Sequence, residues 1–116
     1  MKIAIIGAGN LGCSIAEGIL HSGGATRMYL TRRNLEVLEP YREYGNVQIG
    51  SDNREAVRDS DILIFAVQPV HFADILESIR DLLHDKHVLI STITGFSIRK
   101  IEAIVGAEQY IIRAMP

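Results

Sequence analysis

The sequence predicts an α/β fold, a doubly wound parallel sheet in a three-layer αβα arrangement with strand order 3-2-1-4-5-6. Three observations carry that expectation. Short β-branched runs alternate with stripes of helical period along the whole chain. The strongest run, Asp61–Val67, is apolar almost throughout, as a strand covered on both faces must be. The connections are short, so successive parallel strands need right-handed crossovers that place helices on each side of the sheet.

The first strand is read at Lys2–Ile6 (KIAII), which stops at Gly7. A helix follows from Asn10 to about His21, its stripe formed by Leu11, Ile15, Ile19 and Leu20 and ended by Ser22-Gly23-Gly24. Thr26–Thr31 reads as the second strand. Leu35, Leu38 and Tyr41 then mark a helical stretch over Asn34–Tyr44, although Pro40 falls inside it. Val47–Ile49 is a short third strand, and Ser51-Asp52-Asn53 supplies capping residues for a brief helix over Arg54–Asp59.

After the fourth strand, Asp61–Val67, Pro69 sits where proline is tolerated at a helix start, and Phe72, Ile75, Leu76, Ile79, Leu82 and Leu83 outline the buried face. His87–Ser91 is the fifth strand. Ile98, Ile101 and Ile104 mark a last helix over Ile98–Val105, and Gln109–Arg113 is the sixth strand.

Length and composition bound the function. The 116 residues suit one domain with a real core, and 47% hydrophobic with 22% charged residues is an ordinary globular balance. A net charge of -2 leaves no basic footprint for a phosphate backbone, so nucleic acid is not an expected partner. The apolar run Ile3–Ile6 is far too short for a membrane span or signal core, which implies no membrane partner and a cytoplasmic location. The single cysteine, Cys13, reads as a small packing residue in a reducing compartment.

The chemistry begins at Gly7-Ala8-Gly9-Asn10-Leu11-Gly12, a G-x-G-x-x-G segment that directly follows a strand and opens a helix. In that setting Gly7 permits the tight turn, Gly9 lets a pyrophosphate approach the backbone, and Gly12 allows close helix–strand packing. The amides of Asn10 and Leu11 would face the phosphates at the positive end of the helix dipole. A bare turn would need only one of the three glycines. The expected fold is therefore of the Rossmann type, with a dinucleotide as ligand; no G-x-x-x-x-G-K-[ST] lysine points to a triphosphatase.

Which dinucleotide is decided at the end of the second strand. NAD-binding domains place an acidic residue there to bind the ribose hydroxyls, whereas this chain has Thr31-Arg32-Arg33-Asn34. A carboxylate would repel a 2′-phosphate and a guanidinium would bind it, so NADP(H) is favoured over NAD(H). The sequence leaves open which arginine grips the phosphate and which stacks on the adenine, and a solvated charged turn is the competing reading.

Four segments together resemble the pyrroline-5-carboxylate reductases: GAGNLGCSIAEGIL, the strand exit FAVQP at Phe65–Pro69, Ser91 to Gly95 followed by SIRKIE, and IIRAMP at Ile111–Pro116. The resemblance implies an enzyme of proline biosynthesis, an amino-acid biosynthetic oxidoreductase that reduces 1-pyrroline-5-carboxylate to proline with NADPH. It further implies cofactor contacts at Ile6, Gly7, Ala8, Gly9, Asn10 and Leu11 for the pyrophosphate. Thr31, Arg32, Arg33 and Asn34 would lie near the adenosine phosphate and Asn53 by the adenosine. Ala66, Val67, Gln68 and Pro69, with Thr92, Ile93 and Thr94, would line the nicotinamide end.

Two departures from the family pattern stand out. Gln68 occupies the place of the family's usual lysine, which removes a cation near the nicotinamide and the substrate carboxylate. The chain also stops at Met115-Pro116, directly after a strand, where the family continues into a helical domain that dimerises and builds the substrate pocket. The expectation is thus a single NADP-binding domain over residues 1–116, inactive alone, whose full-length form is a homo-oligomer.

No catalytic residue is assigned. His21, His71, His84 and His87 read as surface or packing residues, and their spacing suits no metal site. The alternatives within the superfamily are prephenate-dehydrogenase-like, β-hydroxyacid-dehydrogenase-like and deazaflavin-dependent NADP reductases. Outside it stands a non-catalytic NADP-sensing module.

Overall fold

In a computed structural model that describes residues 1–114, the period-2 alternation of the strands divides the interior into two apolar layers. Strand β1 (Lys2–Ile6) sends Ala4 and Ile6 to one face of the sheet and Ile3 and Ile5 to the other. Strands β2 (Arg27–Thr31), β3 (Val47–Gly50), β4 (Ile62–Phe65), β5 (Val88–Ser91) and β6 (Tyr110–Arg113) complete an all-parallel sheet in the order β3-β2-β1-β4-β5-β6. Fold class and strand order are those expected from the sequence.

Helices α2 (Asn53–Arg58), α3 (Pro69–Ile79) and α4 (Ile98–Val105) cover the first face, where Phe65, Phe72 and Leu76 are fully buried. The second face is covered by α1 (Asn10–Ser22) through Ala16, Ile15 and Ile19, and by the segment after β2 through Leu38. β6 lies at the sheet edge with Tyr110 and Ile112 exposed. Among the described residues no helix is long and apolar enough to cross a membrane.

Several boundaries differ from the sequence reading, each for a local reason. Residues Leu35–Glu43 form a 3-10 helix where an α-helical stretch was expected, because Pro40 cannot donate an i→i−4 bond; the tighter turn still buries Leu38. β2 begins at Arg27 because Thr26 is spent on the amino terminus: its Oγ1 accepts from the Met1 ammonium at 2.7 Å and its amide donates to the Met1 carbonyl. Helix α3 tightens into a 3-10 turn at Arg80–Leu82, short of the expected Leu83. Met115 and Pro116, the end of the IIRAMP segment, lie outside the described residues.

His87, just ahead of β5, is a packing residue with a structural task. Its Nε2 lies 3.0 Å from the Ser60 carbonyl and 3.3 Å from that of Val57, while its Nδ1 accepts from the His84 amide at 3.1 Å. Both ring nitrogens are thus occupied by the neutral tautomer protonated at Nε2, and His84 stacks on the ring with centroids 3.8 Å apart. Burial, and then the charge of His84, push the His87 pKa below its ordinary value.

The unfolded chain therefore takes up a proton near pH 6.5 that the folded chain refuses until lower pH. Stability is expected to hold level above about pH 6.5 and to fall as pH drops through the depressed folded pKa. Urea midpoints measured across pH 5–8 should show that slope, and His87→Gln should flatten it while being less stable at pH 8.

Candidate functional site

The carboxyl ends of β1, β2, β3 and β4 meet at a cleft of about 690 Å³, a size suited to a small-molecule ligand. A depression beside Lys2 and Ser60, at the opposite ends of the strands, holds only about 10 Å³. The cleft lies where strand order reverses around β1, the usual ligand position in a doubly wound sheet.

Its floor is the turn from β1 into α1. Gly7 has φ +81°, a left-handed conformation, and a Cβ there would collide with Val67 Cγ1 and stand 3.0 Å from the Val67 Cα. At Gly12 a Cβ would stand 3.2 Å from both the Gly7 carbonyl and Ile5 Cγ2, so this glycine sets how closely α1 rests on β1. Gly9 differs: a Cβ would meet nothing within 4 Å and would project into open space. The turn is tied to β2, since Ala8 N donates to Thr31 O at 2.8 Å and Gly7 N to Thr31 Oγ1 at 3.3 Å.

Gly9 is the N-cap of α1 and offers no side-chain acceptor, and the first turn carries no acidic residue. The amides of that turn, Asn10 and Leu11 foremost, keep their hydrogen-bonding capacity at the positive end of the helix. This is the electrostatic requirement for an anion.

One rim is Thr31, Arg32, Arg33 and Asn34. The two arginines are not equivalent. Arg32 is half-buried and its Nη1 donates to the Ala8 carbonyl at 3.4 Å, so it braces the turn. Arg33 is exposed and makes no hydrogen bond or ion pair among the described residues. Asn34 Oδ1 accepts from the Glu36 amide and starts the 3-10 helix.

Ser51 and Asn53 form the adjoining edge, with Asp52 capping α2 by accepting from the amides of Arg54 and Glu55. Ala66, Val67 and Gln68 close the side beyond β4, and Pro69 starts α3 at its first turn as expected.

The structure gathers ten of the expected residues around this cleft: Gly7, Gly9, the four from Thr31 to Asn34, Asn53, and the three from Ala66 to Gln68. Ile6, Ala8 and Gly12 are buried behind the turn, and Asn10, Leu11 and Pro69 stand outside the lining. Thr92, Ile93 and Thr94 also lie outside it. Thr92 Oγ1 donates to the Phe65 carbonyl at 2.8 Å and Ile93 is buried, so the first two serve the β4–β5 junction, while Thr94 is exposed.

One wall of the cleft lies outside the residues expected from the sequence. His71, Asp74, Ile75 and Ser78 line the cleft from α3 at helical spacing. His71, read as a surface or packing residue, belongs to this wall. The signal was present as a second, polar stripe beside the Phe72–Leu76–Ile79 stripe, but nothing in the sequence alone said which groove it would face.

The family model described as NADP oxidoreductase, coenzyme F420-dependent, matches residues 2–95. The chain belongs to this family. Pyrroline-5-carboxylate reductases, the family that its motifs resemble, match it along nearly its full length. Pyrroline-5-carboxylate reductase 2 of Dictyostelium discoideum is 42% identical over 99% of this chain and 40% of its own length. The solved pyrroline-5-carboxylate reductase of Coxiella burnetii superimposes with a TM-score of 0.90 at 30% identity, covering 98% of this chain and 43% of that one. The Plasmodium falciparum enzyme, solved with NADP bound, gives 0.83 at 27% identity, covering 100% of this chain and 42% of that one. This chain spans about two fifths of the length of these relatives.

The geometry separates two glycines that the motif treats alike. Gly7→Ala adds a methyl at positive φ against the Val67 backbone and is expected to cost about 2 kcal/mol or more, lowering the thermal midpoint by roughly 6–10 °C. Gly9→Ala should leave the midpoint almost unchanged in the same calorimetric scan.

Proposed function

We propose that this chain binds NADP(H) and serves as the cofactor-binding domain of a pyrroline-5-carboxylate reductase. The reading is carried by one juxtaposition: an uncapped helix N-terminus at the base of the cleft, and two arginines on the rim where an NAD-binding domain would hold a carboxylate. The pyrophosphate would lie over Gly9 and the first amides of α1. Open space at the Gly9 Cβ position fits a ligand that approaches the backbone there.

The unpaired Arg33 would take the 2′-phosphate, with Arg32 holding the turn from behind. Asn53 would sit by the adenosine, and Ala66, Val67 and Gln68 toward the nicotinamide, with Thr94 of the β5 exit beyond. When bound, NADPH supplies the hydride that reduces the imine of 1-pyrroline-5-carboxylate to proline. The chain's own part is to fix the cofactor and exclude alternative poses, and no proton donor is assigned.

Support for the substrate comes from the relatives' names, and the NADP-bound Plasmodium falciparum structure supports the cofactor. The relatives' greater length supports the further reading that turnover needs a second, helical domain that dimerises and completes the substrate pocket. A cytoplasmic location goes with that biosynthetic role.

Direct titration tests the cofactor assignment. The chain should bind NADPH more tightly than NADH, and Arg32→Ala combined with Arg33→Ala should reduce that preference by tenfold or more. An unchanged ratio of the two dissociation constants would remove the basis for NADP. Gly9→Ala, folded as described above, should weaken NADPH binding at least tenfold. The 116 residues alone should bind NADPH without reducing 1-pyrroline-5-carboxylate; robust turnover by them would refute the two-domain reading.

A further inference from the structure

The α3 wall of the cleft is unused by the reading above; one turn beyond His71, whose imidazole can donate as well as accept, its other residues have a definite hydrogen-bonding character. Ile75 lies half-buried at its centre, packed on the core beneath, and gives the wall an apolar patch. Asp74 and Ser78 flank it along the same helical face. Asp74 is exposed and makes no hydrogen bond or ion pair among the described residues, and an ionised carboxylate only accepts. The Ser78 hydroxyl already donates to the Ile75 carbonyl at 2.7 Å, so toward the cleft it presents only lone pairs.

This wall is also held in place. Arg54 Nη1 donates to the Ser78 carbonyl at 2.8 Å, and the same guanidinium grips Asp81 through two bonds of 2.7 and 2.9 Å. Arg54 adjoins Asn53, so this fork fixes the end of α3 against the edge of the cleft that the proposed adenosine would occupy.

We infer that Ile75, Asp74 and Ser78 form a purine-recognition wall that selects adenine through its exocyclic amine. The inference rests on the assignment of NADP(H) to this cleft and adds what reads the base. An apolar side chain suits the flat ring, and two groups that only accept suit a C6 amine, which has two N–H donors. A base with a C6 carbonyl would set its oxygen against the Asp74 carboxylate and leave an acceptor unmatched.

The test compares NADPH with its hypoxanthine analogue, which differs in exchanging the C6 amine for a carbonyl with a proton on N1. Both are titrated into the whole chain by nicotinamide fluorescence. The wild type should prefer NADPH roughly tenfold. In Asp74→Asn, whose amide can turn either a donor or an acceptor to the base, the ratio should fall toward one through both a weaker NADPH and a stronger analogue. Ser78→Ala should reduce the ratio less. Asp74 is exposed on the helix surface, so the variant should keep the wild-type thermal midpoint.

Equal affinities in the wild type, or the same preference in wild type and Asp74→Asn, would overturn the recognition wall while leaving NADPH binding intact. Failure of NADPH itself to bind would overturn the cofactor assignment, and this inference with it.

Discussion

The missing Cβ at Gly7 is the constraint on which the rest of the site depends. With φ at +81° the chain leaves β1 and turns at once into α1, and the adjacent Val67 leaves no room for a side chain there. Because Gly12 likewise lets α1 rest on the Gly7 carbonyl and Ile5, the helix begins low against the sheet, with its N-cap Gly9 on the cleft lining. The Thr31 bonds carry the same turn to the end of β2, which brings the arginines alongside. Helix dipole, strand ends and basic rim are thereby parts of one turn.

Much of this was legible in the residues because the signals are local. Continuously apolar strand runs, glycine at a strand–helix junction and proline at the first turn of α3 act within a few residues, so fold, strand order and the floor of the cleft are legible from them. Two kinds of feature are not. The 3-10 geometry of Leu35–Glu43 depends on a contest between Pro40 and the burial of Leu38, which periodicity does not weigh. The α3 wall depends on which neighbouring element faces each stripe. His71, Asp74 and Ser78 acquire meaning only when α2 and the β2 exit are placed opposite them.

The asymmetry between Arg32 and Arg33 illustrates the same limit at finer scale. In sequence they are adjacent identical cations. In the fold one is spent on the Ala8 carbonyl and the other, among the described residues, has no polar partner at the rim, so a single pair divides into a brace and a ligand-ready charge.

The position of β1 also governs how the chain must assemble. It precedes every other strand in the chain, yet it sits at the centre of the sheet, with β2 on one side and Ile62–Phe65 of β4 on the other. Until Ile62–Phe65 has been synthesised, the backbone edge of β1 that pairs with β4 has no neighbour. A parallel sheet closed in this order folds slowly and exposes its centre on the way. The nascent chain is therefore most open to mispairing before its fourth strand emerges, and substitutions that weaken Ile62–Phe65 would lengthen that interval beyond their effect on the finished fold.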